Sequence, residues 1–366
     1  MRSSKKHWII IAFIAIVMLP IVLMCFKYKR YLKYAYYYVS PINSLIKSDT
    51  LLLIDTDTLR RIDPEYGDWL VHPCVRYIPD GLGGHKWWLA VTPYPEGNNK
   101  YEQPILYYGE ENETTPPKKW NYYSIVQGMH DIGYNADPNL FYDSSSKLLY
   151  IIWKETNTPN TSEDHCNNAI MYRTFDGKQF GDIHKLFDNC SDSIVHLTAP
   201  SLIRIKDSIY CFATDFEYNR ISGSEMPRGK CGIAVWKNNY TSLDTIDFHY
   251  SYKVTPDYID KFDYWHTEFI RDTVDNMFLS IVTNEEGFDA LVGMSKDGFH
   301  YKYLKEPLIS FKDKHHSRNI YKGSIVVVNN RIYFFYPKRS TKNRSVHICY
   351  SSIDKDFLLR LFDDER

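Results

Sequence analysis

The sequence predicts an all-β fold, a five-bladed β-propeller preceded by one N-terminal transmembrane helix. Three observations carry that expectation. A paired-strand pattern recurs five times between residues 72 and 339, aromatic residues make up 16% of the 366-residue chain, and nineteen consecutive uncharged residues lie near its start. Aromatic and β-branched residues favour strands, and self-similarity at a fixed interval is the signature of a repeat fold.

From the N-terminus, residues 8–26 read WIIIAFIAIVMLPIVLMCF, with Arg2, Lys5 and Lys6 before them and Lys27, Lys29, Arg30 and Lys33 after. About 20 apolar residues span the hydrocarbon core of a bilayer, and Pro20 is tolerable within such a helix. A cleaved signal peptide has a shorter apolar region and small residues at its cleavage site. The run here leads straight into KYKRYLKYAYYY, which has none. Residues 1–30 are therefore expected to be a cytoplasmic stub and an uncleaved anchor, with its helix over 8–26. Residues 31–65 are expected to be a juxtamembrane linker. Lys and Arg nearly tie on the two flanks, so the positive-inside rule leaves orientation to weaker signs. Six cysteines follow Cys25, an even number compatible with disulfides. Five Asn-x-Ser/Thr triplets occur, at Asn112, Asn160, Asn189, Asn239 and Asn343, although such triplets also arise by chance. On these signs the propeller of a single-pass membrane protein is expected on the non-cytoplasmic (periplasmic or extracytoplasmic) side.

The five repeats are 72–93, 136–155, 199–216, 265–284 and 321–339, recurring roughly every sixty residues, and in each two apolar runs are joined by turn formers. That is the hairpin pattern. Third strands follow within 169–180, 231–243, 290–304 and 346–353, with Asp-Gly outer turns at 176–177 and 297–298. A β-sandwich also yields many short strands but would not repeat the opening of each hairpin, so a propeller is expected over 66–356. Residues 357–366 are read as a C-terminal tail.

The strand openings His-Pro, Asp-Pro, Ala-Pro and Trp-His-Thr-Glu, with the outer turn SKDGF (295–299), resemble the five-bladed propeller glycoside hydrolases of the family 43 and family 32 superfamily. The stretch HPCVRYIPDGLGGHKWWLAVTPYPEGNNKYEQP (72–104) is similar to a branch of that superfamily found in bacterial polysaccharide loci and phages. That branch commonly ends the pattern in Tyr-Glu-Asn-Pro, where this chain has Tyr101-Glu102-Gln103-Pro104. The resemblance covers residues 72 to about 353; its first-blade motif is specific and its other blades are generic.

In a propeller the innermost strands start at the central channel, so His72, Asp137, Thr198, His266, Glu268 and Lys322 are expected to be neighbours. Glycosidic cleavage needs a proton donor and a second carboxylate. The resemblance implies an axial carboxylate at Asp137; the bland reading is a turn aspartate before Pro138. Glu268 shares a strand face with His266 two residues earlier and reads as the general acid, or else as a solvated rim charge. His72 stands where the resemblance implies an aspartate as general base. A neutral imidazole can accept a proton near pH 7; equally, His72 could only bind a sugar hydroxyl. Catalytic roles are thus expected at Asp137, Glu268 and His72, and substrate-binding roles at Glu102, His266 and Trp265, with Glu102 a candidate for the missing carboxylate. Trp87, Trp88, Tyr94 and Trp153 are further candidate sugar platforms. Adjacent Trp87 and Trp88 must face opposite ways, and most of these rings are expected to pack between blades.

No metal and no cofactor is expected. The cysteines lack C-x-x-C spacing, and no Walker, G-x-G-x-x-G, H-E-x-x-H or G-x-S-x-G sequence occurs. Lys+Arg at 44 against Asp+Glu at 45 argues against a nucleic-acid partner, which would require a basic face. The expected function is a membrane-anchored glycoside hydrolase-like protein acting on a polysaccharide or glycoconjugate. The alternative is a non-catalytic glycan-binding or polysaccharide-assembly propeller. A purely structural propeller in a membrane complex would leave the polar strand openings unexplained.

Overall fold

A computed structural model of the chain describes residues 44–364, apart from 47, 68, 111–113, 129–132, 157–167, 189–194, 218–231, 255–263, 285–288, 311–320 and 341–344. The expected anchor over 8–26 lies outside the described residues. So do Cys166, Cys190, Cys231 and the triplets at Asn112, Asn160, Asn189 and Asn343. Among the described residues no helix is long and apolar enough to cross a membrane, and Cys74, Cys211 and Cys349 are free thiols, all buried.

Five antiparallel sheets form the five blades. Blade 1 comprises Leu70–Leu82, His85–Pro93, Ile105–Gly109 and Lys119–Ile125. Blade 2 comprises Tyr134–Asp143, Leu148–Thr156, Asn168–Phe175 and Phe180–Asp188. Blade 3 comprises Val195–Ile205, Ser208–Glu217, Gly232–Asn238 and Phe248–Val254. Blade 4 comprises Tyr264–Asp272, Met277–Asn284, Asp289–Ser295 and Lys302–Tyr303, with Ile309–Ser310 also paired to its third strand. Blade 5 comprises Ser324–Val328, Arg331–Arg339 and Val346–Asp354. The first strands of successive blades pack against one another around the axis. Each expected hairpin is thus the inner pair of one blade.

Blade 5 takes its fourth strand from the other end of the chain. Thr50–Leu51 pairs antiparallel with its third strand, Thr50 opposite Tyr350, and Leu53–Ile54 then pairs in parallel with the outer strand of blade 1. Residues 50–54, expected within the 31–65 linker, are therefore part of the propeller and join blades 5 and 1. The expected tail is also structured. Lys355–Asp364 is a helix that buries Leu358 and Phe362, four residues apart and on one face. Its first residue, Lys355, ion-pairs with Asp272 at 2.9 Å and Asp275 at 2.5 Å, both from blade 4.

The apolar core is divided among five clusters, one between each pair of adjacent blades. Period-2 alternation sends Trp87 into the cluster shared with blade 5 and Trp88 into the one shared with blade 2. Both rings and that of Trp153 are fully buried, so these three tryptophans are packing residues. The turns of blades 1 and 2 touch where Gly83, at φ +59°, meets Gly177. A Cβ on Gly83 would lie 2.2 Å from the Gly177 carbonyl oxygen.

Candidate functional site

A local backbone device turns the opening of each inner strand toward the axis. Pairing register breaks between Val71 and Cys74, between Ala136 and Asn139, and between Thr198 and Ser201. Inside these breaks His72, Asp137 and Ala199 adopt φ of 53°, 56° and 51°. Left-handed backbone at a non-glycine residue costs about 1–3 kcal/mol and persists where the surroundings enforce it. Here His72, Asp137 and Ala199 occupy the same place in three successive blades, and blade 4 has a register break just before His266.

The result is two tiers of axial side chains, two residues apart in four blades and three apart (Thr198 and Ser201) in blade 3. The lower tier is Cys74, Asn139, Ser201, Glu268 and Ser324. Glu268 lies at its centre, fully buried. Its Oε1 accepts from Arg76 Nη1 at 2.9 Å, Cys74 Sγ at 3.2 Å and Asn139 Nδ2 at 3.3 Å, and its Oε2 accepts from the Ile325 N–H at 2.6 Å. Ser201 Oγ accepts from Phe269 N–H, and Ser324 Oγ from Val75 N–H. Burial pushes the Cys74 thiol up to about 12, so it serves as a hydrogen-bond donor rather than a nucleophile. The lower tier binds the five inner strands together.

The upper tier is His72, Asp137, Thr198, His266 and Lys322, all buried. Asp137 is its hub. Oδ1 lies 3.5 Å from His72 Nε2 and 3.2 Å from His266 Nε2. Oδ2 accepts from the Thr198 hydroxyl and from Ala199 N–H at 3.3 Å. His72 Nδ1 is 2.8 Å from Thr92 Oγ1, and the Lys322 ammonium donates to the Pro138 carbonyl at 2.7 Å. Glu102 approaches from outside the tier, its Oε1 3.9 Å from His72 Nδ1. Two short 3-10 turns, Pro95–Gly97 and Asn99–Tyr101, lead the chain into Glu102, and its carbonyl accepts from Asn135 N–H in blade 2 at 3.0 Å.

Burial holds His72 and His266 below the ordinary histidine value, against the pull of Asp137, so both imidazoles are neutral near pH 7. Burial opposes the Asp137 carboxylate too, but the two imidazoles and Lys322 outweigh it and hold its pKa well below the usual range. Glu102 is driven the other way. Burial, and then the Asp137 charge, push it well above the usual carboxylate range, with Lys154 opposing.

His72, Asp137, His266, Thr198 and Lys322 thus meet in one place, with Glu102 beside them. Glu268 shares the axis but sits one tier down, tied to four partners. Trp265 is half-buried, its ring 5.9 Å from that of His266. Tyr321, which carried no expectation, packs its ring 5.2 Å from His72, 4.9 Å from His266 and 6.3 Å from Tyr94. Thr92, Arg76 and Asn139 also went unnoticed, because single polar residues inside apolar strands carry no motif. As to metal, ligand atoms of His72, Asp137 and His266 all lie within 4.8 Å of one another.

No protein-family model matches the chain, and no curated protein matches its sequence. Solved structures do match its shape. An N-acetylgalactosamine deacetylase from F. plautii, in complex with blood group B trisaccharide, superposes with a TM-score of 0.61 at 14% identity, covering 80% of this chain and 92% of that one. The catalytic domain of the Coprinopsis cinerea GH62 α-L-arabinofuranosidase gives 0.56 at 14% identity over 84% and 96%. A GH43 enzyme from Xanthomonas citri gives 0.55 at 10% identity over 78% and 89%. The fold is that of the five-bladed glycoside hydrolases. At these identities the likeness establishes the fold; chemistry has to be argued from the axial residues themselves.

Proposed function

We infer that the protein is a hydrolase acting on a carbohydrate at the upper tier. One observation carries the reading: two buried carboxyl groups flank one imidazole, Asp137 at His72 Nε2 and Glu102 at His72 Nδ1. Contact with opposite nitrogens of one ring keeps the two carboxyl groups within about 10 Å, the reach that two-carboxylate glycoside hydrolysis uses. Their surroundings also push their protonation apart, which is how an acid and a base are assigned within one site. Glu102 is the proton donor. Ionised Asp137 with neutral His72 polarises the attacking water. Glu268, the general acid expected from the sequence, has no such role in this reading, because Arg76, Cys74, Asn139 and Ile325 occupy its carboxylate. Partly exposed Tyr94, Tyr321 and Trp265 offer ring faces for sugar stacking.

A second reading removes an acyl group from the sugar rather than cleaving the glycosidic bond. It is favoured by the deacetylase among the similar structures and by the seat of Glu268, away from the upper tier. Incubation with defined neutral and N-acetylated oligosaccharides, followed by mass spectrometry, separates the two. New reducing ends support glycoside hydrolysis, released acetate supports deacylation, and binding without either product supports the glycan-binding alternative.

The anchor belongs to the same reading: a single pass over 8–26 with the propeller on the non-cytoplasmic side. It is supported by nineteen uncharged residues between basic flanks. The full chain should stay in the membrane through alkaline extraction, and the propeller should be digested by protease added to spheroplasts with an intact inner membrane. Release of the chain by alkali would count against the anchor, and protection of the propeller against its orientation.

A further inference from the structure

Three buried side chains at the upper tier, His72, Asp137 and His266, bring ligand atoms within 4.8 Å of one another. Thr92 occupies His72 Nδ1, which leaves Nε2. The Thr198 hydroxyl and Ala199 N–H occupy Asp137 Oδ2, which leaves Oδ1. His72 Nε2 and Asp137 Oδ1 are both buried without a hydrogen bond among the described residues, as is His266 Nδ1. Buried polar atoms are almost always satisfied, so His72 Nε2 and Asp137 Oδ1, both bare and 3.5 Å apart, call for a common partner, which His266 faces with Nε2. A proton on His266 Nε2 would serve the 3.2 Å contact to Asp137 and still leave His72 Nε2 bare.

The spacing fits an ion. Zinc holds imidazole nitrogen and carboxylate oxygen at about 2.0–2.2 Å, so neighbouring ligand atoms of a tetrahedral site lie about 3.3–3.5 Å apart. The observed separations are 3.5 Å for His72 Nε2 to Asp137 Oδ1 and 3.2 Å for His266 Nε2 to the same oxygen. The donor set selects the metal class. Two imidazoles with one carboxylate suit divalent transition metals, whereas calcium and magnesium prefer all-oxygen cages. Thr92, Thr198 and Ala199 fix ligand orientation from outside, as partners beyond the ligands do at metal centres.

We propose that His72 Nε2, Asp137 Oδ1 and His266 Nε2 bind one divalent transition-metal ion, zinc foremost, with a fourth position left for water. The proposal departs from the sequence expectation of no metal. Such an ion lowers the pKa of its bound water toward neutrality. Lys322 and Lys154 also act on both imidazoles. Asp137 is therefore the negative charge on which binding depends. The inference concerns ion binding alone and stands apart from the carbohydrate reading.

The test uses the full-length protein, stripped with a chelator and titrated with zinc by calorimetry, with metal content measured after gel filtration and a parallel cobalt titration followed by visible absorption. The expected result is one equivalent of zinc and intense tetrahedral cobalt bands. Asp137→Asn and His266→Ala should each weaken binding more than about 100-fold, and Thr198→Val about 10-fold, the range that partners of metal ligands contribute. A folded parent that takes up neither ion overturns the proposal, as does equal affinity in Asp137→Asn and His266→Ala. Should those variants fail to fold, cobalt bands that weaken in Thr198→Val support it, and weak octahedral bands unchanged by Thr198→Val overturn it.

Discussion

The two tiers of the axis lie two or three residues apart in each blade, and they treat polar atoms in opposite ways. In the lower tier Glu268 takes hydrogen bonds from Arg76, Cys74, Asn139 and the Ile325 backbone, and Asn139 Oδ1 is its one polar atom without a partner among the described residues. In the upper tier His72, Asp137 and His266 crowd together, yet each keeps an atom unpartnered. A satisfied buried network adds rigidity, whereas an unsatisfied one is costly unless something else completes it. Depth along the axis therefore divides a satisfied network from an unsatisfied one.

Substitutions can break that division, and the largest effect is expected below. Arg76→Ala leaves the Glu268 carboxylate buried without its cation, which should cost about 3–5 kcal/mol and be read as a lower urea midpoint. In the upper tier Glu102→Gln removes the proposed proton donor and should lower turnover about 100-fold or more, since general acid catalysis contributes about 10²–10⁴-fold. The same variant sharpens the comparison through pH. The raised pKa of Glu102 means that the folded protein holds this proton more tightly than the unfolded chain. Its contribution is therefore lost as pH rises from the unfolded value of 4.5 through the raised folded value. Glu102→Gln should remove that decline, making stability at neutral pH closer to that at pH 4.5, as followed by denaturant titration at both.

Between those sites, Thr198→Val deletes one of the two hydrogen bonds to Asp137 Oδ2. It should cost about 1 kcal/mol in the same titration. The smallest effect on turnover lies at the periphery. Gly83→Ala forces a Cβ onto the Gly177 carbonyl at a left-handed position, and a loss of about 1–3 kcal/mol in stability with unchanged turnover would confirm that this turn only packs.

How far the sequence revealed these tiers depends on the range of each signal. The blades were legible because each hairpin is local: two alternating runs and a turn. Thr50–Leu51 and Leu53–Ile54 were not, since two residues have no period and their partners are remote. The Lys355–Asp364 helix left a trace in Leu358 and Phe362, one helical turn apart, but residues 357–366 are short and charged enough to pass for a tail. His72, Asp137 and His266 were legible as strand openings and Glu102 through its Tyr-Glu-x-Pro setting. The hydrogen-bonded seat of Glu268 was not legible, for a physical reason. Spacing by two residues placed it on the axis correctly, but periodicity carries no information about depth or about Arg76 reaching across from blade 1. The metal centre left no motif because its three ligands come from three blades.

The most direct measurement compares Asp137→Asn with Glu268→Gln, scoring turnover per folded molecule and unfolding free energy in the same preparations. Asp137→Asn should abolish turnover while changing stability by no more than about 1 kcal/mol, because the amide oxygen still accepts from Thr198 and Ala199. Glu268→Gln should lose about 1–3 kcal/mol of stability through its weakened contacts while the folded fraction keeps parental turnover. A stable Glu268→Gln protein without activity, or an Asp137→Asn protein that turns over normally, would place the chemistry in the lower tier and contradict this account.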